Sequence, residues 1–388
     1  MNPTDRIIAA AEGQELDTVP TFCYLTDLGP AYQVLRKPRV NEEKLRTSWI
    51  GKLVIGKLGM GWPGKMVMQS LVKKTMFTCV DAAVEMGFDG ALAIHGSFLS
   101  RFPDDHTIQD DWGSYNEIVV DKEGNGTYFY REPKIKTQAD YEAWPYFPDP
   151  DKIARRTYKY FKQLVEKHGN KICLFGDAGM ELYSRLFLAM GIDSLVINMR
   201  KNPAFVRQFI QRLEEFSIKN VGAMMDAGVR VILREDDFSF KTGPQMNPKM
   251  FDEFWGPSYT RICQYIHDRK GKAFIHSCGD NTKMFDYFIK WGFDGGHAFE
   301  TTSNVDIFKE KRLHGDRFTI IGGMGVDYHL TSKSKPEEVV ARTRELVERL
   351  GPGGRFIISN VHCLPTMDMT KMKVMLQAVK ELKRPMPS

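Results

Sequence analysis

Eight short apolar runs recur along the chain, at residues 19–24, 88–94, 171–175, 230–233, 273–275, 293–298, 318–321 and 355–359. Each is rich in β-branched or aromatic residues and closed off by Gly, Asp or Asn. Strands that are apolar throughout are buried on both faces, the condition of a parallel sheet covered by helices. Between them lie stretches of helical periodicity, at 203–227, 248–270, 283–291, 335–350 and 370–382. Three carry start signals: Asn202 before Pro203, Asn247 before Pro248, and Ser334 just ahead of Pro336-Glu337-Glu338. Strands alternating with helices imply right-handed βαβ units. Eight such units predict an α/β fold, a (β/α)8 TIM barrel. A doubly wound open sheet is the alternative, but the first βα turn lacks the GxGxxG fingerprint that such sheets often carry.

No linker, repeat or low-complexity stretch divides the 388 residues, so a single domain over 1–388 is expected. Residues 28–80 and 100–150 are longer than ordinary βα connections and read as insertions, the first helical. The second has room for a small antiparallel excursion at 116–120 and 127–131.

The charge balance, 54 basic against 49 acidic side chains, gives a formal +5 spread thinly along the chain. A nucleic-acid binder concentrates Lys and Arg into a patch, and none is evident here. Apolar runs such as 91–94 and 356–358 fall far short of the roughly 20 residues of a membrane span. Residues 1–14 carry Asp5 and Glu12 and no apolar segment, so a secretory signal is not expected. Six cysteines in so long a chain do not make a disulfide framework, and free thiols point to the cytoplasm. The 20 Met, 25 Phe, 14 Tyr and 6 Trp are chiefly core filling, with an apolar cavity as the sharper alternative.

In a barrel of this kind chemistry sits at the C-terminal strand ends. Those ends supply Tyr24 and Asp27; His95; Asp177; Glu235, Asp236 and Asp237; His276 and Cys278; Glu300; Gly322, Gly323 and Asp327; and His362 with Cys363. His276 and Cys278 stand two apart on an extended segment, so imidazole and thiol face the same way. That pair suits Zn²⁺, which takes N and S ligands tetrahedrally. A third ligand is needed, and the end of strand eight offers one. Adjacent residues point oppositely, so either Cys363 or His362 binds, the softer thiolate of Cys363 being preferred. Glu300, or a carboxylate of the 235–237 cluster, is available for the fourth position. Asp236 and Asp237 read equally as helix caps or salt-bridge partners. His95 and His297 read first as core histidines, and Gly322-Gly323 as a tight turn.

These residues also carry a likeness. The chain resembles the uroporphyrinogen decarboxylase-like superfamily over nearly its whole length. The landmarks are Asp17-Thr18-Val19-Pro20; Asp111-Trp112-Gly113; Phe147-Pro148-Asp149-Pro150; Glu235-Asp236-Asp237 with Lys241-Thr242-Gly243-Pro244; His276-Ser277-Cys278-Gly279-Asp280; and His362 ahead of the 370–380 helix. The resemblance implies the same barrel fold. Decarboxylases proper carry Arg-Gln-Ala-Gly-Arg-Tyr after the first strand to grip carboxylates. Here the stretch is Tyr24-Leu25-Thr26-Asp27-Leu28-Gly29-Pro30, with no arginine. The other branch, the cobalamin-dependent methyltransferases, carries His-x-Cys and a later Cys on zinc. His276 and Cys278 match the first two, whereas His362 aligns with the later Cys and Cys363 falls one beyond.

The resemblance implies a zinc-dependent methyltransferase that passes a methyl group from a small molecule, an aromatic methyl ether, to the Co(I) corrinoid of a partner protein. The chain itself has no Asp-x-His-x-x-Gly cobalamin motif. Zinc would act on the ether oxygen as a Lewis acid. Glu235, Asp237 or Tyr24 would supply a proton, and Asp27, His95 and Asp177 would contact substrate. A rival runs in the other direction, from methylcorrinoid to a zinc-bound thiol of the coenzyme M kind. A rival of another class is a metal-free decarboxylase-like lyase using Asp27 or Asp237, and a non-catalytic barrel is a third. A homodimer is one assembly open to the chain.

Overall fold

The computed structural model describes residues 1–36, 62–95, 107–120, 126–179 and 182–382. Its frame is a closed barrel of eight parallel strands: β1 (Thr21–Cys23), β2 (Gly90–Ile94), β3 (Cys173–Asp177), β4 (Val231–Glu235), β5 (Lys272–His276), β6 (Gly295–Phe299), β7 (Thr319–Met324) and β8 (Phe356–Asn360). Every strand pairs with its sequence neighbours, and β8 returns to β1 through Thr21↔Ile358 and Phe22↔Ser359. All eight predicted runs are barrel strands, displaced by no more than a few residues at either end.

Two apolar layers form because a strand alternates its faces. Phe22, Leu92, Cys173, Phe175, Val231, Leu233, Phe274, Ile321 and Ile357 fill the inside. Ile7, Ala10 and Ala11 of the N-terminal helix Pro3–Ala11 join that cluster and close its lower end. The outward residues of the same strands, such as Ile232, Ala273, Ile275 and Ile358, pack under the surrounding helices. Most of the aromatic and Met surplus is in that outer layer, as the core-filling reading expects.

Helix starts follow the local chemistry. The Asn202 side chain accepts from Phe205 N and that of Asn247 from Lys249 N, each with Pro at the next position. The third signal is off by one: Lys335 caps Pro336–Leu350 while Glu338 accepts from its N–H at 2.9 Å. The stretch expected to be one helix at 248–270 is two, Pro248–Phe254 and Gly256–Asp268. Pro257 has no N–H to carry the ladder across the junction.

Within the first insertion, the described residues hold the helix Leu28–Leu35 and the crossover helix Trp62–Met86; residues 37–61 of that stretch lie outside the described residues. In the second, Thr107–Gln109, Tyr115–Val120 and Gly126–Tyr130 make a three-stranded antiparallel sheet, one strand more than expected. No helix among the described residues is long and apolar enough to cross a membrane.

The inside is full to its walls. A Cβ on Gly295 would stand 2.4 Å from the Thr319 carbonyl oxygen and 2.9 Å from the Phe274 ring. Gly295→Ala is therefore expected to cost about 1–3 kcal/mol through forced repacking. Chemical denaturation checks this, and an unchanged midpoint would contradict the packing described.

Candidate active site

Continuing the inward parity of five strands by one step, from Phe22, Phe175, Leu233, Phe274 and Gly295, arrives at Tyr24, Asp177, Glu235, His276 and His297. These five side chains form a polar layer directly above the apolar one. The Tyr24 ring stacks on His276 and His297, with centroids 4.9 Å away in both cases. Its hydroxyl donates to Glu235 Oε1 at 2.5 Å. Below, Phe22 meets His297 edge-on at 5.3 Å and Phe175 at 4.2 Å.

Above this layer, two loops bring in Asp237 and Cys278. One donor atom from each of Asp237, His276 and Cys278 lies within 4.8 Å of the others, the one such group among the described residues. Cys278 Sγ is 3.3 Å from His276 Nε2 and 3.9 Å from His362 Nδ1. The Cys278 N–H donates to Asp237 Oδ1 at 2.7 Å, which pins thiol and carboxylate together.

Asn281, fully buried, holds the Cys278 loop in shape. Its Nδ2 donates to the carbonyls of Ser277, Cys278 and Gly279 at 2.9–3.1 Å, and its Oδ1 accepts from the Ser277 and Ser239 hydroxyls. Gly279 adopts φ +83°, and a Cβ there would be 2.5 Å from the Ser239 carbonyl oxygen. Only glycine lets the two loops lie so close.

The donors suit a dication. Burial raises the Cys278 thiol well above its ordinary value, and the groups acting on it next, Asp237, Glu235 and Glu300, are acidic. A thiolate beside these carboxylates would need a compensating positive charge, and imidazole, thiolate and carboxylate are donors that a divalent metal ion can take.

Of the two residues expected as alternatives for a third ligand, one lies near Cys278. Cys363 faces the other way, where its thiol interacts with Thr26 and Asp27, near Cys23 and Cys79. His362 is the residue of that pair which reaches Cys278. Glu300 is buried at the end of β6, raised by burial, and lies outside the group of three. Asp237, expected either as an acid or as one of the 235–237 carboxylates open to a metal, lies in the group of three donors.

The substrate-contact assignments divide. Asp177 is in the polar layer. Asp27 caps the helix Leu28–Leu35, its carboxylate accepting from Gly29 N at 2.6 Å. His95 Nδ1 lies 3.0 Å from Thr157 Oγ1, whose hydroxyl donates to Asn220 Oδ1. Burial lowers His95 to about 4, and its ring is half-buried beside Tyr160. Asp236 is likewise structural, accepting from Ser184 N, Leu182 N and the Tyr259 hydroxyl.

Asn360 is a site residue that the sequence reading missed. Fully buried at the end of β8, it accepts from Tyr24 N at 3.0 Å and donates to the carbonyls of Tyr24 and His362 at 2.6 and 2.7 Å. An asparagine after an apolar strand resembles any strand terminator, so its spacing carried no signal.

The barrel and its polar mouth define a (β/α)8 protein with a built site at the C-terminal strand ends. The sequence pattern of uroporphyrinogen decarboxylase matches residues 119–382. The chain belongs to that family. Among solved structures, a methyltransferase from Methanosarcina mazei shares the fold at TM-score 0.69 and 17% identity, over 98% of this chain and 99% of that one. More distant are a 3-keto-D-glucoside 4-epimerase from E. coli (TM-score 0.40, 8% identity, 60% and 87% covered) and a D-psicose 3-epimerase from Clostridium cellulolyticum (0.37, 12%, 58% and 82%). No curated protein matches by sequence.

Burial pushes Asp177 up to about 6 against a pull from Arg234, while Glu235, buried and facing Asp177, rises well above the ordinary carboxyl range. A carboxyl raised in the folded state stabilises it while protonated, and that contribution is lost as pH climbs through the folded value. Asp177→Asn, which cannot ionise, should therefore gain stability relative to wild type between about pH 4 and pH 6. The gain should be on the order of 2–3 kcal/mol. Denaturation at a series of pH values checks it; two curves that stay parallel throughout would contradict the shift.

Proposed function

We propose that the protein is a zinc-dependent methyltransferase that moves a methyl group from a small methylated molecule, an aromatic methyl ether, to the Co(I) corrinoid of a partner protein. The observation that carries this is the convergence of His276, Cys278 and Asp237, with His362 beside them, directly above the Tyr24–Glu235 pair. The fold likeness to a methyltransferase over both whole chains supports it. The arginine-free stretch at 24–30 argues against decarboxylation of a polycarboxylate.

His276 and Cys278, with a third donor from Asp237 or His362, would hold zinc with a position left open, and the metal would supply Lewis acidity toward an ether oxygen there. The rest of the chemistry belongs to the chain. In methyl transfer the nucleophile takes the carbon, and the C–O electron pair stays on oxygen, where it must be neutralised. Glu235 is raised well above the ordinary carboxyl range by burial and by Asp177, which favours its protonated form as the donor to that oxygen. Tyr24, hydrogen-bonded to that carboxyl and stacked on two imidazoles, fixes its direction.

The upward shift of Glu235 also favours demethylation over the reverse reading, transfer from methylcorrinoid to a thiol. Thiol activation releases a proton and needs an acceptor, whereas a neutral carboxyl is a donor. The reducing conditions of the cytoplasm would suit six free cysteines and a thiolate ligand.

Purified protein should carry one zinc per chain and demethylate methyl ethers with free Co(I) cobalamin, followed by the corrinoid spectrum. His276→Ala and Cys278→Ser should lose zinc and demethylation together. Full activity in a metal-free preparation would overturn the proposal and favour the lyase; methylation of thiols by methylcobalamin, with no ether cleavage, would favour the reverse direction.

A further inference from the structure

His297 plays no part in the chemistry above, yet it sits in the middle of the polar layer, fully buried between Phe22, Tyr24 and His276. Its ring nitrogens meet two kinds of neighbour. Nε2 lies 3.0 Å from the main-chain carbonyl oxygen of Asn360 and 3.4 Å from Ser359 Oγ. The Ser359 hydroxyl proton is already given to that same carbonyl at 2.7 Å, so its oxygen also faces the ring as an acceptor. Both neighbours accept, so Nε2 must carry the proton.

The other nitrogen, Nδ1, is 2.7 Å from Nδ1 of His276. Only one proton fits between two nitrogens at that distance. A neutral ring protonated at Nε2 has a bare Nδ1, so the shared proton belongs to His276. It follows that His276 is protonated at Nδ1 and bare at Nε2, the atom facing Cys278 Sγ at 3.3 Å. A lone pair on Nε2 is what a metal ligand needs. Both rings are buried, each stacked against Tyr24.

We infer that His297 is a positioning residue: backed by the Asn360 carbonyl, it forces His276 to present a bare Nε2 to the pocket shared with Cys278 and Asp237. This rests on the metal reading for its purpose but not for its geometry. The bulge between His297 and Phe299 supports it, since the register shift there turns the strand just after the imidazole is placed inward. Asn360 ties the relay to the rest of the site, because its side chain also holds the main chain of Tyr24 and His362.

The first test uses the metal-free, full-length protein with ¹⁵N-labelled histidine. Nitrogen shifts should show His276 as the Nδ1–H tautomer and His297 as the Nε2–H tautomer, assigned from single His→Gln variants. A His276 protonated at Nε2 would overturn the inference. The second reads zinc affinity by competition with a chelator. His297→Phe keeps a ring but no acceptor and should weaken zinc binding about 10–100-fold. His297→Gln, which keeps an acceptor and a donor, should hold zinc closer to the wild-type level. Wild-type affinity in His297→Phe would overturn the inference. Expected tautomers in a wild-type protein that binds no zinc would overturn the metal reading and leave the relay standing.

Discussion

The alternation of strand faces within a closed barrel governs everything above it. Because β1, β3, β4, β5 and β6 point every second residue inward, a strand with Phe or Leu at one inward position delivers its next inward residue to the same height as its neighbours. Phe22, Phe175, Leu233 and Phe274 make a dry floor, and Tyr24, Asp177, Glu235, His276 and His297 stand on it. Charged forms are disfavoured over such a floor, which is why the two carboxyls rise and the two imidazoles stay neutral. A register slip of one residue in any of these strands would bury a polar group among helices and leave an apolar one in the site.

The second constraint is the fastening of the loops. The hydrogen bonds of Asn281 and the close approach at Gly279 join the turn after β5 to the turn after β4. Asp237 and Cys278 consequently belong to one rigid unit. Asn360 does the equivalent on the far side of the mouth, fixing Tyr24 and the His362 main chain from one buried amide. Two buried amides thus hold most of the site's geometry, though neither faces the pocket as a ligand or an acid.

Much of this was legible beforehand. The eight strands could be read because each is apolar on both faces and punctuated at its ends, and the His276–Cys278 pair because i and i+2 share a face. Other features were hidden for definite reasons. His362 and Cys363 differ by one position on an irregular segment, where alternation says only that they diverge, not which turns inward. Ligand softness argued for the thiol; Thr26 and Asp27 hold it elsewhere. Asp27 was hard to read because an N-cap and a catalytic carboxylate have the same local sequence, and Asp236 because its partners, Leu182 N, Ser184 N and the Tyr259 hydroxyl, are distant in the chain. His297 was taken for a core histidine, and burial bears that out, but its consequence for His276 depends on a neighbour from β8 that no linear spacing reveals.

The seal at the bottom of the barrel has a bearing on the order of events. Ile7, Ala10 and Ala11 close the lower end, and the inner layer above them is packed to the point where one extra carbon on Gly295 meets a carbonyl. Among the described residues, the lower end therefore offers a small molecule no way in. On the reading proposed above, the small methyl donor and the bulky corrinoid would share the upper mouth, and the corrinoid, once seated, would cover it. On that reading the donor would have to be loaded first, and the demethylated product would leave only after the larger partner had withdrawn.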